Sequence, residues 1–254
     1  PAPEDDEVLI KVHAASVNDW DWCLVMGTPF YIRLLCGLLK PKVKIPGVDI
    51  AGQVEAVGKG VTKFQPGDGV YGDISEFGFG GFAEYMCARE GVLALKSPKM
   101  TFEQAAAIPQ AGLLTLQGFR KGHIQKGQKV LINGAGGGAG TFAVQLAKFY
   151  GAEVTAVDSA IKFNMLRSLG ADHVIDYTQE DFTKNGQQYD LILDVVATHS
   201  IFDYKRALTS KGVYVMVGGS MAHIFQTLFL GSLISLTGTK KMGMLGAKPN
   251  KDLA

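Results

Sequence analysis

Cysteine is scarce: Cys23, Cys36 and Cys87 form an odd set without paired spacing, which argues against a disulfide framework and against a structural zinc site. A reducing compartment is expected, with the cytoplasm as the assigned localisation. An excess of one charge is also lacking, since 25 lysines and arginines meet 24 acids and neither sign forms a block suited to a nucleic-acid backbone. The basic run 40–44 reads as a solvated loop. Apolar runs stay short of the ~20 residues that span a bilayer; the most apolar, 224–236, is broken by Gln226, Thr227, Ser232 and Ser235 and is expected to serve as a lid or subunit contact, with a peripheral membrane contact as the alternative. No charged-then-apolar leader opens the chain, and it begins with Pro1 rather than methionine, so an upstream piece is expected to be missing.

The remaining composition is that of a globular protein, 47% apolar and 19% charged over 254 residues, a length that suits two modest domains. Through residue 101, short apolar runs cut by glycine (8–12, 47–57, 69–71 and 81–86) predict irregular β structure. From Phe102 the pattern changes: 102–119 reads as a helix, and strands then alternate with helices. Strands are expected at 129–133, 153–157, 174–176, 191–196, 213–217 and within 240–245, and helices at 138–150, 160–169, near Gln179 and at 200–208. This alternation specifies βαβ units and a parallel sheet covered on both faces. The expected domains are 1–101 and 102–254.

Glycine carries the functional signal. Directly after the strand at 129–133 stands Gly134-Ala135-Gly136-Gly137-Gly138-Ala139-Gly140, which runs into a helix. Such a turn aims free backbone N–H groups and the positive end of the helix at a diphosphate, and glycine lets the backbone approach it closely. Two frames fit a dinucleotide fingerprint: Gly134, Gly136 and Ala139, or Ala135, Gly137 and Gly140. Asp158 closes the second strand, where an acid accepts hydrogen bonds from a ribose, which favours NAD. Lys162 and Tyr177 are placed to flank a 2′-phosphate, which favours NADP. Both cofactors stay open.

The chain resembles the medium-chain dehydrogenases/reductases, and within them the zinc-independent, quinone-oxidoreductase-like branch. The resemblance rests on Glu7-Val8-Leu9-Ile10-Lys11-Val12, on Ala15-Ser16-Val17-Asn18 with Asp21, on Pro46-Gly47-Val48-Asp49 with Ala51-Gly52, and on Val57-Gly58 with Phe64-Gln65-Pro66-Gly67-Asp68. Later it rests on Ala105 to Pro109 with Thr115, the glycine turn, and the run Leu169-Gly170-Ala171-Asp172-His173-Val174-Ile175-Asp176-Tyr177. It implies an α/β protein with a GroES-like β-rich first domain, a Rossmann second domain, NADP(H) or NAD(H), and a homodimer. It also implies that the chain is truncated at both ends. The turn is then read in the second frame, with Gly138 and Ala139 completing the diphosphate cradle.

Zinc-dependent relatives place a cysteine where this chain has Asn18 and a histidine–glutamate pair where it has Val48-Asp49, and neither asparagine nor valine is a useful zinc ligand. The expected reaction is therefore zinc-free hydride transfer to a quinone or α,β-unsaturated carbonyl. The resemblance sets Asn18 beside the nicotinamide, where it would steady charge on the acceptor oxygen. It implies nicotinamide contact by Thr115, while Val217, Gly218 and Gly219, ending a strand, would hold the carboxamide through their backbone. Tyr31, in an apolar insertion at 24–39, is a weaker candidate proton donor. An alcohol dehydrogenase, or a dinucleotide-binding sensor or scaffold without turnover, are the competing readings.

Overall fold

The computed structural model describes residues 2–250 and 252–253, leaving aside the side chains of Tyr31 and Leu35. Two compact units form, one from Pro1–Leu113 with Lys248–Ala254 and the other from Leu114–Ala247. The change of sequence pattern at Phe102 thus precedes the division, and the last residues return to the first unit.

The first unit is built on an antiparallel sheet of five strands: β1 (Glu7–Ser16), β2 (Asp49–Val57), β3 (Gly69–Asp73), β4 (Tyr85–Arg89) and β5 (Ala94–Leu95), in the order β4-β1-β2-β3-β5. Alternation drives the pairing. Along β1, Val8 and Ile10 are fully buried while Lys11 faces solvent, the period-2 pattern of a strand with one face on a core. Register shifts between Leu9 and Ile10 and between Val12 and Ala14 interrupt the β1–β2 ladder, and such irregularities bend and twist a strand. Val8, Ile10, Ile50, Val54, Val70, Ile74 and Met86 close the core beneath.

Between β1 and β2 lie α1 (Asp19–Met26) and α2 (Phe30–Cys36). The insertion at 24–39 is therefore largely helical. Trp22, Val25, Phe30 and Leu34 stay exposed on it. After β5 come α3 (Phe102–Ala106) and α4 (Pro109–Gly122), so the single helix expected over 102–119 is two. Proline is the cause: it steers Ile108 away from helical backbone and itself suits the first position of a new helix. Thr101 caps α3 by accepting from Gln104 N–H.

The second unit is an all-parallel sheet of β6 (Lys129–Asn133), β7 (Glu153–Asp158), β8 (His173–Asp176), β9 (Tyr189–Asp194), β10 (Leu208–Met216) and β11 (Lys241–Met244), in the order β11-β10-β9-β6-β7-β8. Both faces are buried. Val130 and Ile132 join one apolar cluster with Ala143, Val144 and Ala147 of α5 (Gly138–Phe149), whereas Leu131 between them joins the opposite cluster with Tyr204 of the later α7. The other helices are α6 (Phe163–Ser168), α7 (Ile201–Ala207), α8 (Met221–Gln226) and α9 (Ser232–Thr237), with a π-helical turn joining the last two. No helix forms near Gln179. Asp176 accepts instead from the N–H groups of Thr178, Gln179 and Glu180, which closes a turn. Among the described residues no helix is long and apolar enough to cross a membrane.

Strand order reverses at β6: the chain runs outward through β7 and β8, then returns to place β9 on the other side. The carboxyl ends of β6 and β9 flank this switch point, where open α/β sheets bind ligands.

Candidate functional site

The glycine turn occupies the switch point. Gly134 leaves β6 with φ of +82°, a conformation glycine adopts without penalty, and its N–H and that of Ala135 both donate to Val157 O of β7. Gly137 caps α5 in extended conformation. The helical ladder starts only with Thr141 N–H on Gly137 O, so the N–H groups of Gly138, Ala139 and Gly140 have no acceptor within the helix. Gly137 and Gly138 are exposed, Ala139 is half-buried, and Ala135 and Gly140 are buried.

Space separates the two frames. A Cβ on Gly140 would lie 2.2 Å from Gly134 O and 2.5 Å from Ala135 O, so α5 can reach the strand end only with glycine there. A Cβ on Gly137 would meet nothing closer than Gly134 O at 3.6 Å. Gly140 is thus closely packed and Gly137 open, the distribution of space that the frame Ala135, Gly137 and Gly140 calls for. The shape, the free donors and the helix end together fit a diphosphate.

Asp158 braces the turn from β7. One carboxylate oxygen accepts from Gly136 N–H at 2.7 Å; the other accepts from Ser159 N–H at 2.8 Å and pairs with the Lys162 ammonium at 3.1 Å. Burial works to raise its pKa, but the Ser159 and Gly136 bonds and Lys162 outweigh this and hold it below the usual carboxylate range. Lys162 pairs with Asp158 while its side chain stays 40% exposed, and Tyr177 is exposed just past the end of β8. Thr115, in α4, is buried and donates to Ala139 O at 2.8 Å, so its hydroxyl supports the first turn of α5.

Across the switch point a buried network holds the end of β9, a feature that sequence reading missed. Asp194 accepts from Asn133 Nδ2 at 2.9 Å and Ala197 N–H at 2.8 Å on one oxygen, and from Tyr214 O–H at 2.9 Å on the other. The Tyr204 phenol oxygen, Oη, accepts from the N–H groups of Thr198 and His199. These bonds hold residues 195–199, including Ala197 at φ of +40°. The end of β10 packs closely on them: Val217 N–H donates to Asp194 O, and a Cβ on Gly218 would lie 2.8 Å from Val195 O. Gly219, at φ of +158°, is exposed beside them.

The first unit gathers a second group of polar residues. Asn18 caps α1, and its N–H donates to Asp21, a fully buried acid that also takes Gly47 N–H at 2.8 Å. Its side-chain amide donates to Ser16 Oγ at 3.2 Å, and Ser16 Oγ donates to Asp49 at 3.4 Å. Asp49 also accepts Gln110 N–H at 3.0 Å on that same oxygen, Oδ2, while Oδ1 is buried without a partner. Burial, chiefly, raises its pKa to about 7, with Asp73 adding to the rise and Gln110, Asn18 and Ser16 opposing it. Sequence reading registered Asp49 only as part of a motif, because burial and the opposing acid are set by strand pairing. Tyr31 lies in α2, but its side chain is outside the described residues.

No group of three or more His, Cys, Asp or Glu that would hold a metal occurs among the described residues. Residues 4–99 match the family model of the alcohol dehydrogenase GroES-like domain, and residues 138–251 that of the zinc-binding dehydrogenase. The chain is 37% identical over 204 residues to a 2-methylene-furan-3-one reductase of Solanum lycopersicum, covering 77% of this chain and 51% of that one. It is 36% identical over 206 residues to a chloroplast envelope quinone oxidoreductase homolog of Arabidopsis thaliana, covering 76% and 60%. The chain therefore spans between half and three-fifths of these relatives. The solved quinone oxidoreductase of Coxiella burnetii matches with a TM-score of 0.85 at 29% identity, covering 100% of this chain and 78% of that one. Two family models, over residues 4–99 on the antiparallel sheet and over 138–251 on the parallel one, establish that the chain belongs to the medium-chain dehydrogenase/reductase superfamily.

Proposed function

We propose that the protein binds a nicotinamide dinucleotide on the turn at Gly134–Gly140 and reduces a quinone or α,β-unsaturated carbonyl without zinc. The single observation that carries this reading is the row of N–H groups at Gly138, Ala139 and Gly140, open at Gly137 and set at the sheet's switch point. The relatives' names, reductases of a furanone and of quinones, point to the same chemical class.

When bound, the reduced dinucleotide supplies the hydride. The chain's residues then have definite tasks. Gly138, Ala139 and Gly140 bind the diphosphate through main-chain N–H groups, and Asp158 keeps the turn in shape through Gly136. Lys162 and Tyr177 face the adenosine ribose, where the lysine's charge favours NADPH; because Asp158 is already engaged by three donors, it is less available to a free ribose. The β10 end at Val217, Gly218 and Gly219 offers its backbone to the carboxamide. Asn18 orients the acceptor oxygen, and Thr115 acts indirectly by holding Ala139. A conjugated acceptor needs no metal for activation, and the positions that zinc-dependent relatives use for ligands hold Asn18 and Val48 here. Three free cysteines suit a reducing compartment, the cytoplasm or an organelle interior, and a homodimer is the assembly assigned.

The test is direct. Full-length protein is mixed with NADPH or NADH and a panel of quinones, enones and aldehydes, with and without chelator. Chelator-resistant oxidation of NADPH by at least one conjugated acceptor is expected. Turnover only of simple alcohols or aldehydes with stoichiometric zinc would establish the alcohol-dehydrogenase reading instead, and cofactor binding without turnover would establish a sensor or scaffold.

A further inference from the structure

Asp49 is fully buried, yet only one of its oxygens is satisfied: Oδ2 takes Gln110 N–H and the Ser16 hydroxyl, and Oδ1 meets no donor. Among the described residues no cation pairs with it, and only the neutral donors Gln110, Ser16 and Asn18 favour its charge. β3 presents another acid, Asp73, directly opposite; β1 and the start of α1 present the neutral Ser16 and Asn18; and α4 presents a backbone N–H. An ionised carboxylate here would leave a charged, buried oxygen bare beside a second acid, whereas a neutral acid removes the charge and the repulsion and leaves Oδ1 only as an uncharged oxygen without a donor. Ser16 provides the way out, since it is half-buried and bridges Asp49 to the Asn18 amide.

We propose that Asp49 is the proton reservoir of the reduction, a positioning residue that acts through the Ser16 hydroxyl and reloads it after each turnover. The inference rests on the proposed reductase reading and extends it. Hydride addition to an enone leaves an enolate, which must gain a proton. A new bond to hydrogen forms on the enolate as the Ser16 Oγ–H bond breaks; Ser16 Oγ regains hydrogen as the Asp49 O–H bond breaks; and the carboxylate left behind takes up from the buffered solvent the one H+ that the net reaction, enone + NADPH + H+ to ketone + NADP+, consumes. With Asp49 protonated, its O–H points at Ser16 and frees the serine hydrogen to face the acceptor. With Asp49 ionised, the serine hydrogen is drawn back to the carboxylate and transfer stops.

The experiment uses the full-length protein and its D49N and S16A variants, following NADPH oxidation by cyclohexenone between about pH 5 and 9, in water and in deuterium oxide. In the parent, kcat falls on the alkaline side with a midpoint of about 7 and shows a solvent isotope effect. D49N and S16A lose the alkaline limb, with kcat lowered about 100-fold, a solvent isotope effect that persists, and NADPH affinity unchanged. Infrared titration of parent protein carrying labelled aspartate adds a readout free of turnover: a protonated carboxyl band persists below neutral pH, disappears above it, and is absent from D49N. An alkaline limb that survives in D49N or S16A, or the lack of that band, overturns the relay while leaving the reductase reading intact. Failure of the parent to oxidise NADPH with any conjugated acceptor overturns the reading and the relay together.

Discussion

Asp49 and Asp73 lie directly opposite one another on antiparallel β2 and β3, and both side chains are buried. Like charges in register destabilise a sheet, and Asp73 adds to the rise of the Asp49 pKa. Each acid has a backbone donor, Ser75 N–H at 2.8 Å on Asp73 and Gln110 N–H at 3.0 Å on Asp49, and Asn250 bonds the Asp73 backbone on both sides.

Stability should therefore depend on pH through Asp49. Its folded-state pKa of about 7 lies above the ~3.9 of an unfolded aspartate, so the folded chain holds a proton that the unfolded chain has lost. Stability then declines as pH rises across that window, by at most ~1.4 kcal/mol per pH unit, and levels off above it. D49N removes the term. Melting curves of parent and D49N should diverge from about pH 4 to pH 7 and run parallel above it, with D49N the more stable at the alkaline end; curves that run parallel throughout would refute the assignment.

The two glycines of the turn should fail differently. G140A forces a methyl against Gly134 O, where it would sit 2.2 Å away, and should cost about 1–3 kcal/mol of stability. G137L has room in the free protein and should melt like the parent, yet lose NADPH binding because its side chain fills the space over the free N–H groups. Fluorescence titration and thermal melts on both variants separate the effects, and NADPH affinity unchanged in G137L would refute the cradle.

Lys162 offers a test of cofactor choice. K162A should weaken NADPH about tenfold while changing NADH much less, since a single charge contact to a phosphate is removed. Equal losses for the two cofactors would mean that Lys162 acts only by steadying Asp158 and the Gly136 N–H.

Much of the second unit was legible because its strands are short apolar runs ending at glycine or acid. Lys129–Asn133 and its glycine turn stand where the sequence puts them, and β11 falls inside the expected 240–245. The helices α1 and α2 were not legible: Leu24, Val25, Met26, Leu34 and Leu35 crowd together without a clear polar stripe, so no 3.6-residue period marks a face. Asp194 and Asp49 were missed for another reason. Each acquires its character from residues on other strands, Tyr214 and Asn133 for the first and Asp73 for the second, and no local pattern announces such a meeting.

Tyr214 should repay mutation for that reason. Y214F strips the donor from one oxygen of buried Asp194 and should cost about 1–3 kcal/mol, measured by urea denaturation, while G137L and K162A should not. A cost near zero would indicate that water replaces the phenol at that oxygen.

The Tyr71 hydroxyl donates to Leu253 O at 2.9 Å, and Asn250 clasps Asp73. During synthesis, β3 emerges long before these partners do. The ribosome has to deliver the whole of Leu114–Ala247 before the first sheet receives its closing contacts, so the nucleotide-type sheet has every opportunity to mature first, and the older part of the nascent chain waits for the younger to finish it.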